Sequence, residues 1–98
     1  MIEVTRFRLR EGVDERDFRA ADARYQTEFA YRQPGLLRRT TASSVDGAWV
    51  VIDLWRTEAD AERCRSRAAD DPVARAHSAL VDPASVEPAI YYELDAQP

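Results

Sequence analysis

Two side chains in this sequence could perform acid–base chemistry. His77 is the only histidine, and because an imidazole titrates near neutral pH it could act as a general base. It could equally be an axial ligand to haem iron, or a half-buried residue that hydrogen-bonds locally. A single histidine without neighbouring ligands does not form a conventional zinc site, and we predict no metal site.

Asp53 is the second candidate, and it interrupts the apolar stretch DGAWVVIDLWR at residues 46–56. A carboxylate beside tryptophan in a cleft could orient a substrate or move a proton. A buried carboxylate could instead be held by an ion pair with an arginine of a neighbouring strand. The candidate partners are Arg6, Arg8, Arg38 and Arg39. Both interpretations stay open.

Aromatic and basic residues could complete a binding site. Tyr25 lies on a helical apolar stripe and could stack on a planar ligand, although aromatics at such spacings usually pack in a core. Trp49 and Trp55 share one face of the strand that carries Asp53. Cys64 is the sole cysteine, which excludes an internal disulfide and fits a reducing compartment. Phosphate-binding loops, dinucleotide fingerprints and Ser-His-Asp arrangements are absent from the sequence.

Composition limits the function further. The 98 residues carry a formal net charge of −4, which argues against a general nucleic-acid surface. All basic residues are arginine. The sequence shows no apolar run of membrane-spanning length and no basic-then-apolar leader. We therefore expect a cytoplasmic protein, with residues 1–98 forming a single domain that binds neither membrane nor nucleic acid.

Local signals predict six main elements. Alternation predicts strands over residues 2–10, 36–44 and 48–56, and a last strand over 86–94 whose Pro88 favours an edge or a bulge. Asp14 is a predicted N-cap, and Pro34-Gly35 ends that helix. Asp46-Gly47 signals a hairpin. A second helical region begins near Thr57 and restarts at Asp71-Pro72.

This β-α-β-β-α-β order predicts a ferredoxin-like α+β sandwich. Its four-stranded antiparallel sheet would carry two helices on one face. The other sheet face then needs a cover, and the cover we favour is the sheet of a second copy in a closed dimer. The sequence does not decide which face of residues 48–56 meets the helices.

The chain resembles the dimeric α/β-barrel superfamily, and within it the antibiotic-biosynthesis-monooxygenase-like domains. The similarity spans most of the chain at matching element order. It rests on four motifs: Gln33-Pro34-Gly35-Leu36, Asp46-Gly47-x-Trp49, Ile52-x-x-Trp55-Arg56-Thr57-x-x-Asp60-Ala61, and Asp71-Pro72 with His77.

The resemblance implies a small homodimeric enzyme, a cofactor-independent monooxygenase or a cyclase, acting on an aromatic polyketide-like or quinol-like substrate. His77 or Asp53 would remove a phenolic proton, and Arg6 or Arg8 would hold the anion. The pocket would be lined by Trp55 and Tyr25, with Trp49 as a further substrate-binding residue.

The resemblance also leaves other functions open. Its haem-degrading branch pairs a histidine on the second helix with an asparagine on the first strand and a tryptophan on that helix. Here only His77 corresponds, because the chain has no asparagine and its tryptophans lie on the third strand. Haem binding through His77 therefore remains an alternative, as does a non-catalytic, ligand-binding or stress-responsive dimeric barrel.

Overall fold

The structure is a computed structural model, and it describes residues 1–94. Four strands form one antiparallel sheet in the order β2-β3-β1-β4. Their bounds are β1 Ile2–Phe7, β2 Leu36–Ser43, β3 Trp49–Trp55 and β4 Glu87–Tyr91. With the helices, this is the predicted ferredoxin-like α+β fold. Pro88 lies in β4, which is an edge strand of the sheet, as the lack of a backbone N–H in proline favours.

The first strand is shorter than predicted. It ends at Phe7 because the backbone beyond it pairs with residues outside the sheet. Arg8 N donates to Ser85 Oγ at 2.8 Å, and Leu9 forms only an isolated bridge with Val81. Residues 8 and 9 therefore do not extend the sheet; they contact the segment that precedes β4.

Three α-helices follow the predicted capping signals. They are α1 Glu15–Glu28, α2 Glu58–Ala68 and α3 Pro72–Ser78. Asp14, Thr57 and Asp71 each accept a hydrogen bond from a backbone N–H of the first turn. The second helical region is thus two helices, and α1 gives way to a 3₁₀ turn before Pro34-Gly35. Within residues 1–94 we find no helix with the length and apolar character to span a membrane.

The structure decides which face of β3 meets the helices. Trp49, Val51 and Trp55 are buried at 7, 8 and 3% exposure, whereas Ile52 is 40% exposed. Trp49 packs edge-on against Phe18 of α1, with ring centroids 4.8 Å apart. The indoles therefore belong to the core between sheet and helices, and it is the aliphatic side of β3 that lacks a cover.

We call this uncovered side the open face. The strand register places twelve side chains on it: Ile2, Val4, Arg6, Arg38, Thr40, Ala42, Val50, Ile52, Leu54, Glu87, Ala89 and Tyr91. Most are apolar, and Tyr91 is 53% exposed. An apolar surface of this kind is characteristic of an interaction site.

Buried residues between sheet and helices form two apolar clusters. One contains Phe29, Trp55, Ala61, Cys64 and Ala74. The other contains Phe7, Phe18, Trp49 and Val51. Polar side chains contributed by α1, β2, β3 and α3 lie among the aromatic rings of this layer, and they form the site described next.

Candidate active site

A pocket of about 400 Å³ opens between the sheet and the helices at the end of α3. Its volume falls in the range of sites for small organic ligands. We call it the His77 pocket. Its lining residues are Thr5, Phe7, Arg10, Tyr25, Arg39, Val51, His77, Ser78, Val81, Pro83 and Val86. The walls are largely apolar, and the large polar side chains among them are those of Arg10, Tyr25, Arg39 and His77.

His77 is oriented by a carboxylate that the sequence interpretation had not singled out. Its Nε2 lies 2.8 Å from Asp22 Oδ1, and both side chains are 13% exposed. Because an ionised carboxylate can only accept, Nε2 carries the proton, which leaves the Nδ1 lone pair of the neutral ring available. Within residues 1–94, Nδ1 has no hydrogen-bond partner, and it is not among the buried unpaired atoms. Nδ1 is therefore the ring nitrogen that is free to accept a proton.

Asp22 is kept ionised by its surroundings. Burial alone would raise its pKa, but hydrogen bonds from His77 and Arg39 and the Arg39 charge outweigh burial and hold the pKa well below its ordinary value. Such a carboxylate fixes the tautomer of the imidazole and stabilises the imidazolium once the ring has taken a proton.

Arg39 is the second partner of Asp22, and its guanidinium is almost fully engaged. Nη2 donates to Asp22 Oδ1 at 2.8 Å, and Nη1 donates to Asp22 Oδ2 at 3.3 Å and to Gln26 Oε1 at 3.2 Å. The Arg39 side chain is 2% exposed. Tyr31 Oη accepts from the Arg39 backbone N–H and donates to its carbonyl, which holds this part of edge strand β2 in place.

Asp53 lies directly opposite Arg39 in the β2–β3 register. Its Oδ1 is 3.8 Å from Arg39 Nε, an ion pair without a hydrogen bond, and this oxygen is buried without a hydrogen-bond partner in residues 1–94. Burial raises the pKa of Asp53 to about 6, although the charge of Arg39 opposes the shift. Of the arginines considered from the sequence, the structure thus pairs Asp53 with Arg39.

Tyr25 connects the polar and aromatic parts of the site. Its ring stacks on His77 with centroids 4.7 Å apart, and the Arg39 guanidinium carbon lies 4.8 Å from the ring centroid. Phe18 packs against the same imidazole at 5.1 Å. Burial raises the pKa of the Tyr25 hydroxyl, so Tyr25 stays neutral. These rings restrict the orientation of His77.

The other sequence candidates lie elsewhere. Trp55 is enclosed in an apolar cluster, and Trp49 lines a separate cavity beside Asp22. Arg6 is on the open face, and Arg8 bonds the Asp46 carbonyl and pairs with its carboxylate. Of the sequence candidates, His77 and Tyr25 line the His77 pocket, and Asp53 is linked to His77 through Arg39 and Asp22. Neither tryptophan and neither of these two arginines is among the residues that line it.

Asp22 could have been found from the sequence. Phe18, Asp22, Tyr25 and Phe29 recur at spacings of four, three and four residues, which places all four on one helical face. A carboxylate inside an apolar stripe requires a buried partner. The apolar stripe predicted around Tyr25 did not include Asp22. Arg10, which lines the pocket, has no comparable signal.

His77 has one ring nitrogen free to ligate a metal, because Nε2 is committed to Asp22 and Nδ1 has no hydrogen-bond partner within residues 1–94. A carboxylate bonded to the other ring nitrogen is usual for a metal-bound histidine, so haem binding through Nδ1 stays an alternative. Coordination through Nε2 would break the bond to a buried, ionised carboxylate. In the part of the chain that the structure describes, no cluster of three or more His, Cys, Asp or Glu side chains could hold a metal ion.

Comparisons with known proteins identify structural relatives. No protein-family model matches the chain, and no curated protein matches it. Among solved structures, SnoaB, a cofactor-independent oxygenase from Streptomyces nogalater, is similar with a TM-score of 0.77 and 25% identity, over 99% of this chain and 95% of that one.

Two further structures show the same fold at lower identity. Rv0793 from Mycobacterium tuberculosis has a TM-score of 0.69 and 20% identity, over 97% of this chain and 95% of its own. A protein named as an antibiotic biosynthesis monooxygenase from Nitrosomonas europaea has a TM-score of 0.73 and 18% identity, over 96 and 98%. Several of the similar structures are named as antibiotic biosynthesis monooxygenases, in agreement with the resemblance that the sequence predicted.

Proposed function

We propose that this protein is a small oxygenase that acts without a cofactor on a flat aromatic substrate bearing an acidic hydroxyl, bound in the His77 pocket. The observation that carries the proposal is the Asp22–His77 hydrogen bond at 2.8 Å, which leaves Nδ1 free to accept a proton at a largely apolar pocket. The similarity to SnoaB, a cofactor-independent oxygenase, supports the reaction type.

In the proposed reaction, His77 Nδ1 removes the hydroxyl proton of the substrate. The resulting electron-rich anion supplies the electrons that reduce molecular oxygen. One oxygen atom enters the product, which leaves as a quinone. The other leaves as water with two hydrogens of the substrate, the hydroxyl proton taken by His77 and the hydrogen lost by the oxidised carbon. Asp22 stabilises the imidazolium formed in the first step. Asp53 acts through Arg39, which it helps to neutralise.

We propose further that two copies of the chain associate through the open face. Ile52 at 40% exposure and Tyr91 at 53% belong to an apolar sheet surface that the chain's own helices do not cover. A closed two-fold dimer would bury this surface against its own copy. The same arrangement serves the alternative function, a dimeric barrel that binds an aromatic ligand without turnover.

Oxygen uptake with a panel of anthrone-type and quinol-type aromatics tests the proposed function. We expect uptake with at least one compound and no added cofactor, and a loss of roughly 10²- to 10⁴-fold in kcat for His77→Ala. Arg75→Gln is the control, because Arg75 is an exposed residue of the same helix and should retain full activity. Full activity in His77→Ala would exclude His77 as the base. Binding without oxygen uptake would favour the non-catalytic barrel.

A further inference from the structure

The proposed reaction creates an anion, and the two arginines of the His77 pocket differ in their capacity to hold one. Arg39 is paired with Asp22 and Asp53, so its charge is already balanced inside the protein. An anion that approached this group would meet two carboxylates as well. Arg39 is therefore unsuited to bind a negatively charged ligand.

Arg10 also lines the pocket, and its charge is not balanced in this way. Within residues 1–94, no carboxylate forms a salt bridge with Arg10. Its Nε donates to the carbonyl of Ala79 at 2.9 Å. Both Nη groups remain without a protein acceptor in the described part of the chain.

The position of Arg10 is set by the helix that carries His77. Ala79 is the C-cap of α3, and the Arg10 backbone N–H also donates to Leu80 O at 2.9 Å. A main-chain bond and a side-chain bond thus hold Arg10 against the end of α3, two residues after His77. Arg10 is an exposed residue, and this double attachment holds its guanidinium at the pocket, which lowers the conformational entropy lost when a ligand binds.

We propose that Arg10 is the residue by which the His77 pocket selects ligands with an anionic substituent, carboxylate above all. This inference rests on the proposed function, since it concerns the same pocket. The paired Nη groups offer two N–H donors to the two oxygens of a carboxylate. The apolar walls hold the aromatic part, and Arg10 determines which end of the ligand faces the end of α3.

Calorimetric titration with 1-naphthoate and its neutral analogue 1-naphthamide tests this assignment. We expect the wild-type protein to bind naphthoate roughly tenfold more tightly, with the preference decreasing as salt is added. Arg10→Gln should remove the preference and leave naphthamide binding unchanged, whereas Arg10→Lys should retain part of it. Arg75→Gln controls for the loss of one positive charge near α3, and it should behave as the wild type.

The outcomes separate this inference from the proposed function. If the wild-type protein binds both compounds equally, or if Arg10→Gln weakens both equally, Arg10 does not select anions and the aromatic pocket still stands. If neither compound binds, the proposed aromatic pocket is wrong and the role of Arg10 is wrong with it.

Discussion

His77 and Asp22 lie 55 residues apart in the sequence, yet their side chains meet at 2.8 Å between Nε2 and Oδ1. The contact joins the short helix α3 to the middle of α1. It also connects the imidazole to Arg39 and, through Arg39, to Asp53 in the sheet. His77 is thus connected to the sheet through two carboxylates and the arginine between them, and this series of contacts ends at the His77 pocket.

Replacing the central carboxylate should destabilise the fold as well as impair the site. In Asp22→Asn, the amide oxygen can still accept from Arg39, but within residues 1–94 the buried guanidinium would keep Asp53 as its one carboxylate partner. We expect the free energy of unfolding to fall by about 3 kcal/mol, the lower end for breaking a buried ion pair. Urea denaturation measures the change. Asp17→Asn, the same substitution at an exposed position of α1, should cost less than about 1 kcal/mol. If Asp22→Asn and Asp17→Asn lower the free energy of unfolding equally, the Asp22 carboxylate does not balance the buried charge of Arg39.

Asp53 should make stability depend on pH in a defined window. Its pKa is raised from 3.8 to about 6 in the folded protein, so between these values the folded state binds a proton that the unfolded state has released. The free energy of unfolding should therefore fall by at most about 3 kcal/mol as pH rises from about 4 to about 6.

Asp53→Asn separates this effect from other titrations. Asp22, whose pKa is lowered, stabilises the fold above its ordinary pKa, and that contribution is lost only as pH falls below about 4. We expect the difference in unfolding free energy between wild type and Asp53→Asn to change between about pH 4 and 6 and to be constant above. Parallel pH curves for the two proteins would contradict the assignment.

Gly35 should tolerate no side chain. It has φ +88°, and a Cβ there would overlap the Asp60 carboxyl group and lie 2.6 Å from Asp60 Cβ. Asp60 is buried and is bonded to Thr57 Oγ1 and Arg63 Nη1, so it cannot move without losing partners. We expect Gly35→Ala to cost more than about 3 kcal/mol in thermal or urea unfolding, since left-handed strain and a displaced buried charge add.

Gly12→Ala is the matched control for Gly35. Gly12 has a similar φ of +85°, but its Cβ position meets nothing within 4 Å. Gly12→Ala should therefore lower the free energy of unfolding only by the conformational strain, about 1–2 kcal/mol. If the two substitutions lower the free energy of unfolding equally, Asp60 moves away from the new Cβ at position 35 without an energetic penalty.

A charge on the open face should dissociate the proposed dimer. Ile52→Asp places a carboxylate in the middle of the apolar sheet surface, and desolvating it at an interface is unfavourable. Sedimentation velocity at micromolar concentration should show a dimer for the wild type and a monomer for Ile52→Asp. Val45→Asp introduces the same charge at a fully exposed turn position and should stay dimeric. A monomeric wild type would refute the association.

The sequence by itself determined the order of strands and helices. Caps, prolines and hairpin turns act over a few residues, so Asp14, Asp71-Pro72 and Asp46-Gly47 could be recognised without any tertiary information. The resemblance to antibiotic-biosynthesis-monooxygenase-like domains likewise followed from local motifs, and the structural neighbours agree with it. His77, Tyr25 and Asp53 were also identified as candidates from residue type and spacing.

Only the tertiary structure decided how these residues meet. Both faces of β3 are apolar, and a period of two residues defines two faces without saying which is covered by helices. That choice placed the tryptophans in the core and the aliphatic side chains on the open face. The partnership of Asp22 with His77 required the packing of α1 against α3. Because such contacts depend on how distant segments pack, no local pattern could specify them.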